Sequence, residues 1–188
     1  MSDASRRILT IPNVLSFARI ATIPIFFALI VDPDTTFVGL ILFSLIAATD
    51  WIDGAVARAT GQVSELGKVL DPVADRLAIA AGLIALVIRG AFPLWAALVI
   101  LARDVVILLA GVVLARRGVR IEVRYLGKVA TFTLMLAIGS IAWGTLGYAL
   151  EHAALAIGWT AFAIGVVESY VAAALYARDA RASVARSG

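Results

Sequence analysis

The chain has 188 residues, 62% of them hydrophobic and 15% charged, with a mean hydropathy of +1.00. That apolar share exceeds what a soluble domain of this size can bury, so lipid is the expected solvent and the fold class an all-α membrane protein. The absence of cysteine excludes disulfides and thiolate metal sites, and the sequence pI of 9.7 does not mark a nucleic-acid binder, because the basic residues fall between apolar runs with no aromatic-interleaved groove.

Residues 1–12 are short and polar, with Arg6 and Arg7 ahead of Ile8, Leu9 and Ile11, and are read as an interfacial segment ending at Pro12. The first apolar run has no convincing cleavage site and is expected to be retained. From there the hydropathy pattern predicts a bundle of six transmembrane helices over residues 13–177, at 14–31, 37–59, 67–88, 92–115, 127–148 and 153–177, followed by a polar tail over 178–188. Short turns join them at Asp32-Pro33-Asp34, Arg89-Gly90 and Glu151-His152, and nothing marks a second domain. Residues 116–126 form the longest polar connection.

Arg6, Arg7, Arg58, Lys68, Arg116, Arg117, Arg120, Arg124, Lys128, Arg178, Arg181 and Arg186 fall on one side of this plan, and Arg89 alone on the other. Positive charge is retained in the cytosol, which places both termini and residues 116–126 there. The expected location is a bacterial-type inner or plasma membrane.

Ionisable side chains within a span cost at least ~2.5–3.5 kcal/mol each on insertion scales, so they are rare unless paired, hydrated or ligating something. Asp50 and Asp53 lie on the second predicted helix, Asp71 and Asp75 on the third. Spacings of three and four put each pair on one helix face, and the opposed directions of the two helices bring both pairs to the cytosolic end. Four facing carboxylates repel and take up protons unless cations neutralise them. Oxygen-only ligation selects Mg²⁺ or Mn²⁺, with Ca²⁺ as the other hard ion, and four carboxylates suffice for two ions clamping a phosphoryl group. Gly54 and Gly67 leave room for a ligand at the backbone, Ala57 keeps its helix face low, and Arg58 lies where a guanidinium can hold a diphosphate.

Other charges have plainer readings. Arg19 is expected to snorkel, and Arg103-Asp104 is read either as a neutralising pair or as part of a site. Asp104 and Glu168 are equally well read as interhelical hydrogen-bonding groups, and His152, at an outer turn, is given no role. The tryptophans at 51, 95, 143 and 159 suit interfacial anchoring or packing. A small cation transporter or channel is the reading from another class, but its acids would be spread through the bilayer rather than gathered at one surface.

Residues 50–75 read DWIDGAVARATGQVSELGKVLDPVAD, which fits the pattern D-x-x-D-G-x-x-A-R-x8-G-x-x-x-D-x-x-x-D at every fixed position. This resembles the signature of the CDP-alcohol phosphotransferase (phosphatidyltransferase) family, and the six-helix plan resembles that family over nearly the whole chain. The resemblance implies that Asp50, Asp53 and Asp71 ligate metal, that Asp75 both contacts metal and acts as base toward the acceptor hydroxyl, and that Gly54, Ala57, Arg58 and Gly67 contact the CDP portion of the donor. It also implies a homodimer, with CDP-diacylglycerol as the donor drawn from the surrounding membrane lipids.

The segments SELGKVLDPVADRL and ARDVVILLAGVVLARRG further resemble the cardiolipin synthases of this family, which join phosphatidylglycerol to CDP-diacylglycerol. Relatives that use glycerol 3-phosphate to make phosphatidylglycerophosphate are the alternative. They usually carry Arg-Glu where this chain has Arg103-Asp104, and a second lysine where it reads Gly127-Lys128-Val129-Ala130-Thr131. Arg103, Arg116, Arg117, Arg124 and Lys128 are the candidates for binding the acceptor, with Arg120 beside them.

Overall fold

The computed structural model describes residues 11–46, 67–116 and 125–187, and among them every regular element is an α-helix. These are α1 (Ile11–Val31), α2 (Thr36–Ile46), α3 (Gly67–Ile88), α4 (Leu94–Arg116), α5 (Tyr125–Thr145) and α6 (Glu151–Ser187). They fall into two compact units, residues 1–90 and 91–188.

In the first unit α1 ends where the sequence demands, at Asp32-Pro33. Its exposed carbonyls are taken up by side chains of the turn: the Thr35 hydroxyl donates to the Leu29 carbonyl at 3.0 Å, and that of Thr36 to the Ile30 and Asp32 carbonyls at 3.2 and 2.7 Å. The chain reverses there, so Phe26 meets Phe43, with ring centroids 5.4 Å apart, and Gly39 lies against Ile30. A second reversal brings Phe43 onto Gly82 and the Arg89 Nε to the Thr36 hydroxyl, to which it donates at 3.0 Å. Helices α1 and α3 therefore run in the same direction and pack side by side. Gly90, at φ +72°, ends α3, a backbone state costly for any residue with a Cβ.

The second unit is built on the α5–α6 hairpin. Gly144 lies against Leu155, Gly158 against Ile141 and Gly165 against Leu134, so small residues let the two backbones approach along their length. Helix α4 joins α6 through Trp95, which stacks on Trp159 at 5.5 Å and meets Phe162 edge-on at 5.6 Å. The tryptophans are packing groups here: the Trp143 Nε1 donates to the Ala149 carbonyl at 2.9 Å, and its ring lies 4.9 Å from Tyr148.

Several helix boundaries differ from the sequence expectation. Pro12 lies inside α1 rather than ahead of it, in the first turn, where its missing N–H costs nothing. Helix α4 runs two residues later at its start and one at its end. Helix α5 stops at Thr145 because Gly147, at φ +74°, and Leu150, at φ +62°, turn the chain. Helix α6 runs on to Ser187, so residues 178–187 are helical rather than an irregular tail; the Ala- and Arg-rich sequence there favours helix even though it is too polar to lie in lipid. Residues 1–10 of the expected interfacial segment and 47–59 of the second expected span lie outside the described residues.

One described helix stretch, Glu151–Leu175, is long and apolar enough to cross a membrane. The apolar stretches Ser16–Val31, Thr36–Ile46 and Val129–Thr145 are shorter. Large apolar side chains stand exposed on all six helices, among them Phe17, Val38, Ile84, Val106, Phe132 and Val167.

Candidate active site

Gly67 opens α3, Asp71 follows four residues later, and Asp75 one further turn along on the same face. Ala74 and Ala78 flank Asp75 and are buried, which keeps this part of the helix narrow enough for α1 to approach. From α1, Arg19 reaches across and pairs through Nη1 with the Asp75 Oδ1. The arginine is 7% exposed and the aspartate 27%, so the carboxylate stays partly accessible while its partner is enclosed.

Arg19 was expected to snorkel, and is instead buried and paired with the very carboxylate assigned as base. The observed helix limits give the reason. Arg19 lies eight residues into α1 and Asp75 eight into α3, and two spans entered from the same side hold equivalent positions at equal depth.

Asp71 is placed by the backbone of α3, Arg116 closes α4, and Lys128 falls in the first turn of α5. Asp50, Asp53, Gly54, Ala57, Arg58, Arg117, Arg120 and Arg124 lie outside the described residues. Among the described residues no group of three or more ligating side chains comes together.

In the second unit Arg103 donates from Nη1 to the Asp104 Oδ1 at 2.7 Å, and Asp104 is only 7% exposed. The Arg103 Nε and the Glu168 Oε2 are buried with no hydrogen-bond partner among the described residues. His152 is 93% exposed, with Nδ1 3.5 Å from the Glu151 carboxylate.

Comparison with known proteins adds to this geometry. The CDP-alcohol phosphatidyltransferase family model matches residues 9–167. The chain is similar to a cardiolipin synthase (CMP-forming) of Streptomyces coelicolor, 38% identical over 183 residues that cover 93% of this chain and 84% of the relative. It is also similar to CDP-diacylglycerol–glycerol-3-phosphate 3-phosphatidyltransferases of Bacillus subtilis, at 34% over 177 residues, and of Rickettsia bellii, at 33% over 165 residues, each covering 85% of this chain and 91% of the relative. The matched region takes in Arg19, Asp71 and Asp75 together with the whole aspartate signature, and the protein belongs to the CDP-alcohol phosphatidyltransferase family.

Proposed function

We propose that the protein is a multi-pass membrane enzyme that transfers the phosphatidyl group of CDP-diacylglycerol to phosphatidylglycerol, forming cardiolipin and releasing CMP. The observation that carries this reading is the complete aspartate signature ending on α3, with Asp71 and Asp75 one turn apart on one face. The similarity to a cardiolipin synthase (CMP-forming) along most of the chain supports the choice of acceptor. Phosphatidylglycerophosphate synthesis from glycerol 3-phosphate is the second reading, favoured by the relatives from Bacillus subtilis and Rickettsia bellii. A cation transporter or channel has no support in the family assignment.

The reaction is a displacement at the lipid-bearing phosphorus. The acceptor hydroxyl oxygen forms the new P–O bond, the bond to the bridging oxygen of the diphosphate breaks, and CMP carries that oxygen away. Asp75, whose carboxylate remains partly accessible, takes the hydroxyl proton. Arg58 is positioned by the signature to hold the diphosphate, with Gly54, Ala57 and Gly67 leaving space for the nucleotide. The donor set of Asp50, Asp53, Asp71 and Asp75 is all hard oxygen and suits two Mg²⁺ or Mn²⁺ ions, which would supply charge neutralisation at the diphosphate.

Purified protein in detergent is expected to release CMP from CDP-diacylglycerol when phosphatidylglycerol is supplied, with cardiolipin as the lipid product. Folded protein that releases no CMP with any alcohol acceptor would overturn the enzymatic reading.

The apolar exterior of the helices supports placement in a bilayer, since water would not tolerate so many exposed large apolar side chains. Six spans are supported by the hydropathy pattern, cytosolic termini by the charge distribution, and a homodimer by the family resemblance. Cysteines introduced at Ser2, Arg120 and Ser187 are expected to resist membrane-impermeant thiol reagents in intact cells and to react after permeabilisation. Labelling of any of them from outside would reverse the orientation.

A further inference from the structure

We infer that Arg19 is a positioning residue for the catalytic carboxylate: its guanidinium, held in the α1–α3 seam, fixes the plane of Asp75 so that the second carboxylate oxygen is presented to the acceptor hydroxyl. The inference rests on the assignment of Asp75 as base, and goes beyond it by giving a role to a residue outside the aspartate signature.

A carboxylate on a helix has two freely exchanging oxygens and a broad terminal torsion, so its orientation is set by what it is bound to. In this chain the partner comes from another helix. Arg19 Nη1 binds Asp75 Oδ1, and the arginine is 7% exposed against 27% for the aspartate. The enclosed member of the pair is thus the arginine, which is the arrangement of a support rather than of a group that meets substrate.

The seam itself is closely packed. Below the pair, Ser16 on α1 is 3% exposed, and the buried Ala74 and Ala78 lie on either side of Asp75 on α3. Further along, the Phe26–Phe43 contact, the close approach of Phe43 to Gly82 and the Arg89–Thr36 hydrogen bond lock both helices through α2. A guanidinium held this way fixes direction as well as charge, which a flexible ammonium does less well.

The test compares Arg19→Ala and Arg19→Lys with the wild type in steady-state kinetics, alongside Mn²⁺ binding followed by electron paramagnetic resonance. Misplacement of a reacting group by about 1 Å costs on the order of 100-fold, so Arg19→Ala is expected to lose about that much in kcat. The KM for CDP-diacylglycerol and the Mn²⁺ affinity are expected to stay within a few-fold of the wild type. Arg19→Lys is expected to recover part of the lost kcat.

An unchanged kcat in folded Arg19→Ala would overturn the inference. So would a loss that falls wholly in the KM for CDP-diacylglycerol, which would make Arg19 a donor-binding group, or wholly in Mn²⁺ affinity, which would make it a scaffold for the metal ligands. If Arg19→Ala cannot be purified folded, Arg19→Gln and Arg19→Lys are read by the same criteria. Failure of the functional reading is distinguishable, because it would show as a wild type without CMP release.

Discussion

Asp71→Asn is expected to lower kcat for CMP release by roughly 1,000-fold, equivalent to about 4 kcal/mol of transition-state stabilisation. The substitution keeps the size of the side chain, replaces one accepting oxygen with an NH2 donor and deletes one negative charge. Asp71 lies in the first turns of α3, one turn before Asp75, so the change leaves the Arg19–Asp75 pair and the α1–α3 seam in place. Removing a carboxylate from a crowded acidic set also relieves repulsion in the metal-free protein, so thermal stability without metal is expected to hold or rise. The loss should therefore appear in turnover and in Mn²⁺ binding and not in folding. The wild type, depleted with EDTA, is expected to fall to the same floor and to recover with Mg²⁺ or Mn²⁺. Wild-type turnover by Asp71→Asn would remove it from the ligand set, and full activity after exhaustive chelation would remove the metal-dependent mechanism itself.

Much of this arrangement was legible in the sequence, and the exceptions have physical causes. Helix α3 runs from Gly67 to Ile88 as expected, because the polar residues Ser64 and Glu65 precede it in the sequence and Arg89-Gly90 supplies a residue free to adopt positive φ. Helix α1 ends at Val31 as expected because Asp32-Pro33 cannot continue it. The ends of α5 and α6 were not legible from hydropathy. The run from Trp143 to Tyr148 contains no polar break, yet the chain turns there through Gly147 and a Trp143 hydrogen bond that closes only in three dimensions. At α6 the apolar pattern marks where lipid would end and says nothing about where helical hydrogen bonding ends.

Of the candidate site, the aspartates are proposed on number and spacing, since four acids in apolar stretches of sequence have no inexpensive structural explanation. Arg19 could not be proposed in that way. A lone arginine in a span has many ordinary readings, and its partner lies 56 residues away. Only the parallel run of α1 and α3 turns two equal depths into a contact. The Glu168 Oε2 and the Arg103 Nε illustrate the opposite case, since their burial without a hydrogen-bond partner among the described residues could not be read from the sequence.

The acceptor preference is the second large expected effect. In an assay offering phosphatidylglycerol and glycerol 3-phosphate at equal concentration, cardiolipin is expected to exceed phosphatidylglycerophosphate by at least about tenfold, or ~1.4 kcal/mol of discrimination. Glycerol 3-phosphate brings a phosphomonoester carrying nearly two charges, which calls for several clustered cations, whereas phosphatidylglycerol brings one phosphodiester charge. Relatives that use glycerol 3-phosphate usually place a second lysine two residues after the one that stands here as Lys128. That position is Ala130, which is fully buried in α5, where close packing leaves no place for a charged stem. Arg103, the basic candidate whose side chain is described, already spends one donor on Asp104. An alanine in place of the second lysine therefore suits an acceptor with a single charge better than one with two. Formation of phosphatidylglycerophosphate without cardiolipin would reverse the acceptor assignment. It would leave untouched the aspartate set, the role of Asp75 and the pairing with Arg19, all of which concern the phosphorus and not the alcohol that attacks it.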